Sequence, residues 1–386
     1  MTKIYLIRHA EAEGNLYRRS QGHYNANITA LGQKQIAALA ERFRDIPIDA
    51  LWSSDLNRAQ STATAILKYH PRLTLHTTPR LREVCMGQWE DMPWGNIDRA
   101  WHDQMECFTY DPARWSIPGS ESYEDVTLRM KTALKELAEA YEGKTVAVVS
   151  HGFAVRSLLC HLQGKEFAEL PYGDNTSVAL LTAESGSLRA EWFNDSTHLP
   201  VELSTFGRQS WWRNEGKNAG KEYYLHDPLD PAVEGELYSR CYAETWKQSH
   251  GSLEGYSPMI YRKTAEQKVK ADPRCLMKLS VADRFAGLIE LDPEKGSADN
   301  AGWISLIYLE PEMRGLRLGI QLVGHAVSYF RKKGRQSIRL HVSQTNGEAI
   351  GFYRHNGFVP IGETMGVGGM LWLMELDITQ RMFILE

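Results

Sequence analysis

Two apolar runs in this chain end the same way. KIYLIRH places Arg8 and His9 at the end of one, and TVAVVSH places His151 at the end of the other, with Gly152 next. A neutral imidazole nitrogen can attack phosphorus, and an arginine fork neutralises phosphoryl oxygens. Arg8, His9 and His151 therefore point to phosphoryl chemistry. A metal pair is the other use of two histidines, but no H-x-x-x-H or H-E-x-x-H spacing supplies a third ligand near them.

Such residues act together only if the two runs are neighbouring strands. In open α/β sheets, ligands sit outside the carboxyl ends of the strands, where loops and helix starts converge. The first half alternates accordingly. KIYLIRH and ALWSS read as strands, ALGQKQIAALAERFRD and NRAQSTATAILKYH as amphipathic helices, ESYEDVTLRMKTALKELAEAY as a long helix, and TVAVVSH as a strand covered on both faces. Strands alternating with helices imply a largely parallel sheet.

At 386 residues the chain exceeds what one core usually serves, so two domains are expected. Periodicity dissolves around 197–222, in STFGRQSWWRNEGKNAGKE after Trp212. This gives domains over 1–203 and 222–386 with a linker over 204–221. Hydrophobic residues make up 42% and charged residues 24%, which is ordinary globular usage. A net charge of -4 supplies no concentrated basic surface for nucleic acid or an anionic membrane. Cys85, Cys107, Cys160, Cys241 and Cys275 stand singly, without a C-x-x-C pair, which fits a reducing cytoplasm. Neither a signal peptide nor a membrane-length apolar run is present in the sequence, so secretion and membrane insertion are not expected.

IRHAEAEGN, SQGHYNANITALG, SSDLNRAQSTA, LREVCMGQWED, PGSESYED and SHG, in that order, resemble the histidine phosphatases of the phosphoglycerate-mutase-like superfamily over about residues 1–200. Ala10 stands where that family usually has Gly. The resemblance implies a three-layer α/β/α domain in which His9 becomes phosphorylated. It further implies that Arg8, Arg58 and His151 hold the phosphoryl oxygens, that Glu83 protonates the leaving oxygen, and that Asn15, Gln21 and Gly22 line the phosphate pocket. Elementary chemistry asks for the same roles. Transfer spreads charge over the equatorial oxygens, which positioned cations stabilise, and a leaving alkoxide needs a proton. The short span from Arg58 to Glu83 and the form of LREVCMGQWED resemble the broad phosphatase and α-ribazole phosphatase branch more than the mutases. A sugar phosphate, a phosphoglycerate or an α-ribazole phosphate-like ester is the expected substrate class. Trp89, Trp94, Trp101 and Trp115 follow Glu83 closely, and either stack on a ring-bearing substrate or pack a core.

The second half reads as a helix at ELYSRCYAETWKQSHG and strands at CLMKLSVAD, FAGLIELD and GWISLIYLE. The helix IQLVGHAVSYFRKKG follows, then the strand SIRLHVS, the helix GEAIGFYRHNG and a closing strand GMLWLMELD. Between Leu309 and the first of these later helices lies a turn containing Arg314, Gly315, Leu316, Arg317, Leu318 and Gly319. Main-chain donors at such a helix start make a pyrophosphate cradle. The turn, with Asn346, Ala349, Phe352, Tyr353, Gly357 and Phe358 after it, resembles the GCN5-related N-acetyltransferases over about 222–380. Arg317 replaces the middle Gly of that family's loop. The resemblance implies a mixed α/β domain, acetyl-CoA as cofactor, an amine acceptor on a small molecule or peptide, and Tyr353 as the acid for the departing thiolate. Its general base is open, with Glu290 or a water in view.

Three further readings stand beside a bifunctional enzyme. The second domain could be an acetyl-CoA-binding regulator of the phosphatase, the first a phosphoglycerate mutase, or the first a binding module without turnover. Oligomeric state is open.

Overall fold

The computed structural model describes residues 1–208 and 224–385. These form two units, one holding the residues up to 208 together with 380–385 and the other holding 224–379. Residues 380–385 therefore group with the first unit, away from the domain expected over 222–386. Most of the expected linker, 209–221, lies outside the described residues.

In the first unit the chain runs β1 (Thr2–Arg8), α1 (Glu13–Leu16), α2 (Ala30–Phe43), β2 (Ala50–Ser53), α3 (Asn57–Tyr69), β3 (Leu75–Thr77), α4 (Trp94–Ala100) and α5 (His102–Tyr110). It continues through α6 (Tyr123–Ala140), β4 (Thr145–Ser150), α7 (Gly152–Gln163), β5 (Val178–Glu184), β6 (Ser187–Asp195) and α8 (Thr205–Arg208). The sheet order is β3-β2-β4-β1-β5-β6. The first four strands are mutually parallel, and the hairpin β5–β6 closes the other edge antiparallel.

Alternation along the central strands sends side chains to both faces. Ile4, Leu6, Val146 and Val148 pack with Met130 and Leu134 of α6 and Leu158 of α7. Ile7, Leu51, Ala147 and Val149 pack with Ile36, Leu39 and Phe43 of α2 and Ala63 and Ile66 of α3. The unit is thus a three-layer α/β/α sandwich, and its central strands read as continuous apolar runs because neither face meets water. The tryptophans after Glu83 belong to this packing. Trp89 and Trp115 are buried against Phe108, and Trp94 and Trp101 pack against the same cluster.

The second unit runs β7 (Tyr224–Pro228), α9 (Gly235–His250), α10 (Pro258–Ala271), β8 (Leu276–Val281), β9 (Arg284–Asp292), β10 (Ala301–Leu309), α11 (Gly319–Lys332), β11 (Ser337–Ser343), α12 (Gly347–His355), β12 (Val359–Gly366) and β13 (Gly369–Asp377). Its sheet order is β12-β13-β11-β10-β9-β8-β7. Every pair is antiparallel except β10–β11, which pairs only from Ala301 to Trp303 against Ser337 to Arg339. Beyond Trp303 this parallel ladder stops, although β10 continues to Leu309 and β11 to Ser343. Pattern reading passes over three of these elements. β7 and β12 are edge strands, and α10 buries only Ala265, so none shows a strong apolar period. Among the described residues no helix is long and apolar enough to cross a membrane.

Candidate active sites

In the first unit, register brings the two histidines together. Arg8 lies opposite Ser150 in the β1–β4 ladder, so His9 and His151 are the next residue on each strand. Their ring centroids are 5.1 Å apart. His9 is fixed by three main-chain contacts. Its N–H donates to Ser150 O at 2.9 Å, its carbonyl accepts from Asn175 Nδ2 at 2.9 Å, and its Nδ1 lies 2.7 Å from Ala10 O. A carbonyl oxygen only accepts, so Nδ1 carries the proton and Nε2 is left with a free lone pair. Burial, followed by the charges of Arg58 and Arg8, holds the His9 pKa well below the ordinary 6.5. Burial and the charge of Arg58 do the same for His151. Both rings are neutral at pH 7.

The cations are held by carbonyls. Arg58, near the start of α3 and fully buried, donates from Nη1 to Tyr24 O at 2.9 Å and from Nη2 to Gly22 O at 2.7 Å. Burial pushes its guanidinium down to about 10, which leaves it charged at neutral pH. Arg8 donates from Nη1 to Gly173 O. A Cβ on Gly152 would lie 3.1 Å from Arg8 Nε, so the glycine of S-H-G makes room for that side chain.

Glu83 is buried, and its carboxylate accepts from Phe153 N at 3.0 Å and Ala154 N at 2.9 Å, the first turn of α7. The segment before it is clamped by Arg129 of α6, which pairs with Glu121 and donates to the carbonyls of Arg80, Arg82 and Glu83.

Four buried nitrogens in this cluster find no hydrogen-bond partner among the described residues: Arg8 Nε, Arg58 Nε, and both Nδ1 and Nε2 of His151. Because the His151 ring is neutral, three of the four are N–H donors and one is an acceptor lone pair. Unpaired buried polar groups cost about 1–3 kcal/mol each, so the three donors mark a place prepared for an acceptor. Asn15 lies in α1, and Gln21 and Gly22 lie in the loop that follows it. Asn15 Oδ1 accepts from Ala12 N at 3.1 Å, and the Gln21 side-chain carbonyl accepts from Gly14 N at 2.7 Å once its amide is oriented to satisfy both ends. These two side chains hold loop backbone, while Gly22 contributes its carbonyl to Arg58.

Several positioning residues escaped sequence reading. Glu90 gathers the N–H groups of Gly22, His23, Tyr24 and Met86 and so shapes the loop that holds Arg58. Thr62 accepts from Ala10 N at 2.9 Å and donates to Arg58 O at 2.7 Å. An acid seven residues beyond Glu83 and a threonine four beyond Arg58 were the available signals, and both look like ordinary surface chemistry in a string of letters.

In the second unit, β10 ends at Leu309, and Arg314 Nε folds back to donate to Leu309 O at 3.2 Å. Gly315 and Arg317 both take left-handed φ, 75° and 59°. Arg317 therefore preserves the backbone bend of the glycine it replaces. Leu316 is 58% exposed, and Leu318 precedes α11 without capping it through a side chain. The first N–H groups of α11 thus face no side-chain cap, which is the donor set a pyrophosphate takes. A Cβ on Gly319 would sit 3.0 Å from the Phe352 ring, which joins the helix start to α12. Asn346 caps α12 through Ala349 N at 3.1 Å, and Tyr353 is half-buried, its phenol raised by desolvation and hence protonated at neutral pH. The loop donors, the split between β10 and β11 and the protonated phenol fit acetyl-CoA. Glu290 accepts from Tyr238 Oη at 2.7 Å and pairs with Lys268 at 2.8 Å, so the carboxylate considered as base is tied into a buried ion pair.

The family model for the histidine phosphatase superfamily (branch 1) matches residues 4–196, and that for the acetyltransferase (GNAT) family matches residues 235–358. Over 167 residues the chain is 38% identical to the "Probable phosphoglycerate mutase GpmB" of Yersinia pestis, covering 42% of this chain and 76% of that protein. The protein of the same name from Yersinia pseudotuberculosis gives the same figures. Among solved structures, Bacillus stearothermophilus YhfR superposes with a TM-score of 0.50 and 26% identity, over 51% of this chain and 99% of that one.

Proposed function

Because the chain belongs to the histidine phosphatase superfamily, with an acetyltransferase (GNAT) domain joined behind it, we propose that it is a bifunctional enzyme. The first activity is hydrolysis of a small-molecule phosphomonoester through a phosphohistidine on His9. The observation that carries this reading is the set of buried, unpartnered nitrogens of Arg8, Arg58 and His151 around a neutral His9.

His9 Nε2 bonds to phosphorus as the ester P–O bond breaks, and the leaving alkoxide takes a proton from Glu83. Water then attacks phosphorus, the N–P bond breaks, and Glu83 takes the proton back. The first-turn N–H groups of Phe153 and Ala154 hold the Glu83 carboxyl in place for both steps. Arg8, Arg58 and His151 hold the equatorial oxygens throughout.

Sugar phosphates, phosphoglycerates and α-ribazole phosphate-like esters are the substrate classes this reading admits. The cytoplasm is its setting, supported by five free cysteines. The second activity is transfer of an acetyl group from acetyl-CoA to an amine on a small molecule or peptide, with Leu309, Arg314–Gly319 and Asn346 around the cofactor and Tyr353 as the acid. The ion-paired Glu290 favours a water as its base.

The test is phosphate release from a panel of these esters by wild type and His9→Ala. Selective turnover lost in the variant supports the reading, and turnover that survives refutes it. The name of the Yersinia relatives favours a second reading, phosphoglycerate mutase. Interconversion of phosphoglycerates without net phosphate release would select it.

A further inference from the structure

Residues 380–385 follow β13 after only Ile378 and Thr379, yet they are built into the first unit. They run along α3 in an extended path. Phe383 N donates to Ser61 Oγ at 2.8 Å and Leu385 N to Thr64 Oγ1 at 3.2 Å, two hydroxyls three residues apart on one face of that helix. The side chains alternate. Phe383 and Leu385 pack into the core shared by α2, α3 and the sheet, while Met382 and Ile384 are 37% and 61% exposed. Upstream, Arg381 N donates to Asn27 Oδ1 at 3.0 Å, and the Gln380 side chain donates to Asn25 O.

Those contacts meet the residues that hold Arg58. Asn25 is the residue after Tyr24, whose carbonyl accepts from Arg58 Nη1, and Asn25 Oδ1 accepts from Asn57 N at 2.8 Å at the start of α3. Ser61 and Thr64 lie on the next turns of the helix that carries Arg58 itself. The segment is therefore tied at one end to the carbonyl loop and at the other to the helix, the two supports whose relative position sets the Arg58 guanidinium.

We propose that residues 380–385 are a positioning strap for the phosphatase site: they fix the 22–27 loop against α3 and so hold Arg58 where it meets the phosphoryl group. The phosphatase domain is then discontinuous in sequence, completed by a segment that arrives after the acetyltransferase domain. The proposal rests on the phosphohistidine reading for its kinetic consequence, while its structural part stands alone.

The experiment compares the full chain with Phe383→Ala/Leu385→Ala, and with Met382→Ala/Ile384→Ala as the outward-facing control. Amide hydrogen exchange over 22–27 and 57–64 reads the strap without reference to catalysis. It should quicken at least 10-fold in the inward pair and stay unchanged in the control. Equal protection in all three proteins overturns the strap, and so does an inward pair that loses protection uniformly across the first unit. In phosphate release, kcat of the inward pair should fall by about 10- to 100-fold with a smaller change in KM, since misplacement of about 1 Å can cost about 100-fold. An unchanged kcat overturns the positioning role. If wild type itself shows no His9-dependent release, the phosphatase reading fails and the exchange data alone decide the strap.

Discussion

Gly152→Ala should make the first unit more stable and its enzyme slower. The added Cβ would lie 3.1 Å from Arg8 Nε and 3.3 Å from Arg8 Cζ. Comfortable contact needs about 3.5–4.0 Å, so the guanidinium must yield by about 0.5 Å. A displacement of about 1 Å in a positioned group can cost about 100-fold, and half of that, on a logarithmic scale, is about 10-fold in kcat. Stability moves the other way. Gly152 opens α7 without a left-handed φ, so alanine suits the backbone and lowers the entropy of the unfolded chain, for a gain of about 0.4–1 kcal/mol. At about 2–4 °C per kcal/mol for a unit of this size, the unfolding midpoint should rise by about 1–4 °C. Phosphate release at saturating substrate and a thermal scan on the same preparation check both halves. A variant with full kcat would show that Arg8 need not sit where the structure places it. A lowered midpoint would show that the Cβ collides with backbone-like rigidity instead of with the movable end of a side chain.

Acid should loosen the first unit from about pH 6.5 downward. His9 and His151 have folded-state pKa values well below 6.5, so between those values and 6.5 the unfolded chain binds more protons and stability falls with pH. Each contributes up to about 1.4 kcal/mol per pH unit in that window. Unfolding midpoints from pH 7.5 to 5 should show the slope in wild type and a flatter one in His9→Ala/His151→Ala, and equal slopes would contradict the assignment. Glu83→Gln should lower kcat by about 100- to 10,000-fold, the usual worth of a positioned acid and base, and a rate within a few-fold of wild type would remove Glu83 from both steps. Arg317→Gly should relieve a left-handed arginine, raise the midpoint of the second unit, and leave acetyl-CoA affinity by calorimetry within about threefold; a large loss would mean that the side chain, and not the backbone, holds the cofactor. Tyr353→Phe should leave acetyl-CoA binding intact and slow acetyl transfer by about 100-fold, and an unchanged rate would mean another group protonates the thiolate.

The candidate site residues were easier to single out in the sequence than the supports that aim them. His9 and His151 could be placed at strand ends because both strands are covered on both faces, which writes each strand as a solid apolar run, whereas Arg58 lies on α3 and came into view only through the resemblance. The supports are mostly main-chain atoms: Ala10 O for His9, Tyr24 O and Gly22 O for Arg58, Gly173 O for Arg8. A carbonyl carries no letter of its own, so nothing in the string distinguishes these positions from other loop residues. Antiparallel edges were harder for a related reason. β7 and β12 have one neighbour each, bury little, and so carry no strong period.

The same distinction explains why two departures from family pattern are mild. Ala10 and Arg317 each replace a glycine, and each is needed for what its backbone does. Ala10 offers a carbonyl to His9 Nδ1 and an N–H to Thr62, and Arg317 keeps a φ of 59° in the turn before α11. The methyl of Ala10 and the exposed side chain of Arg317 are tolerated because they leave that backbone alone. Gly152 and Gly319 are different, because there the missing Cβ is itself the requirement: one clears Arg8, the other clears Phe352. Substitutions at exposed Arg317 should therefore be graded by backbone strain, and those at Gly152, Gly319 and the fully buried Ala10 by volume. Within each site, tolerance follows whether a position serves through its backbone or through empty space, and distance from His9 or Tyr353 is a poor guide to it.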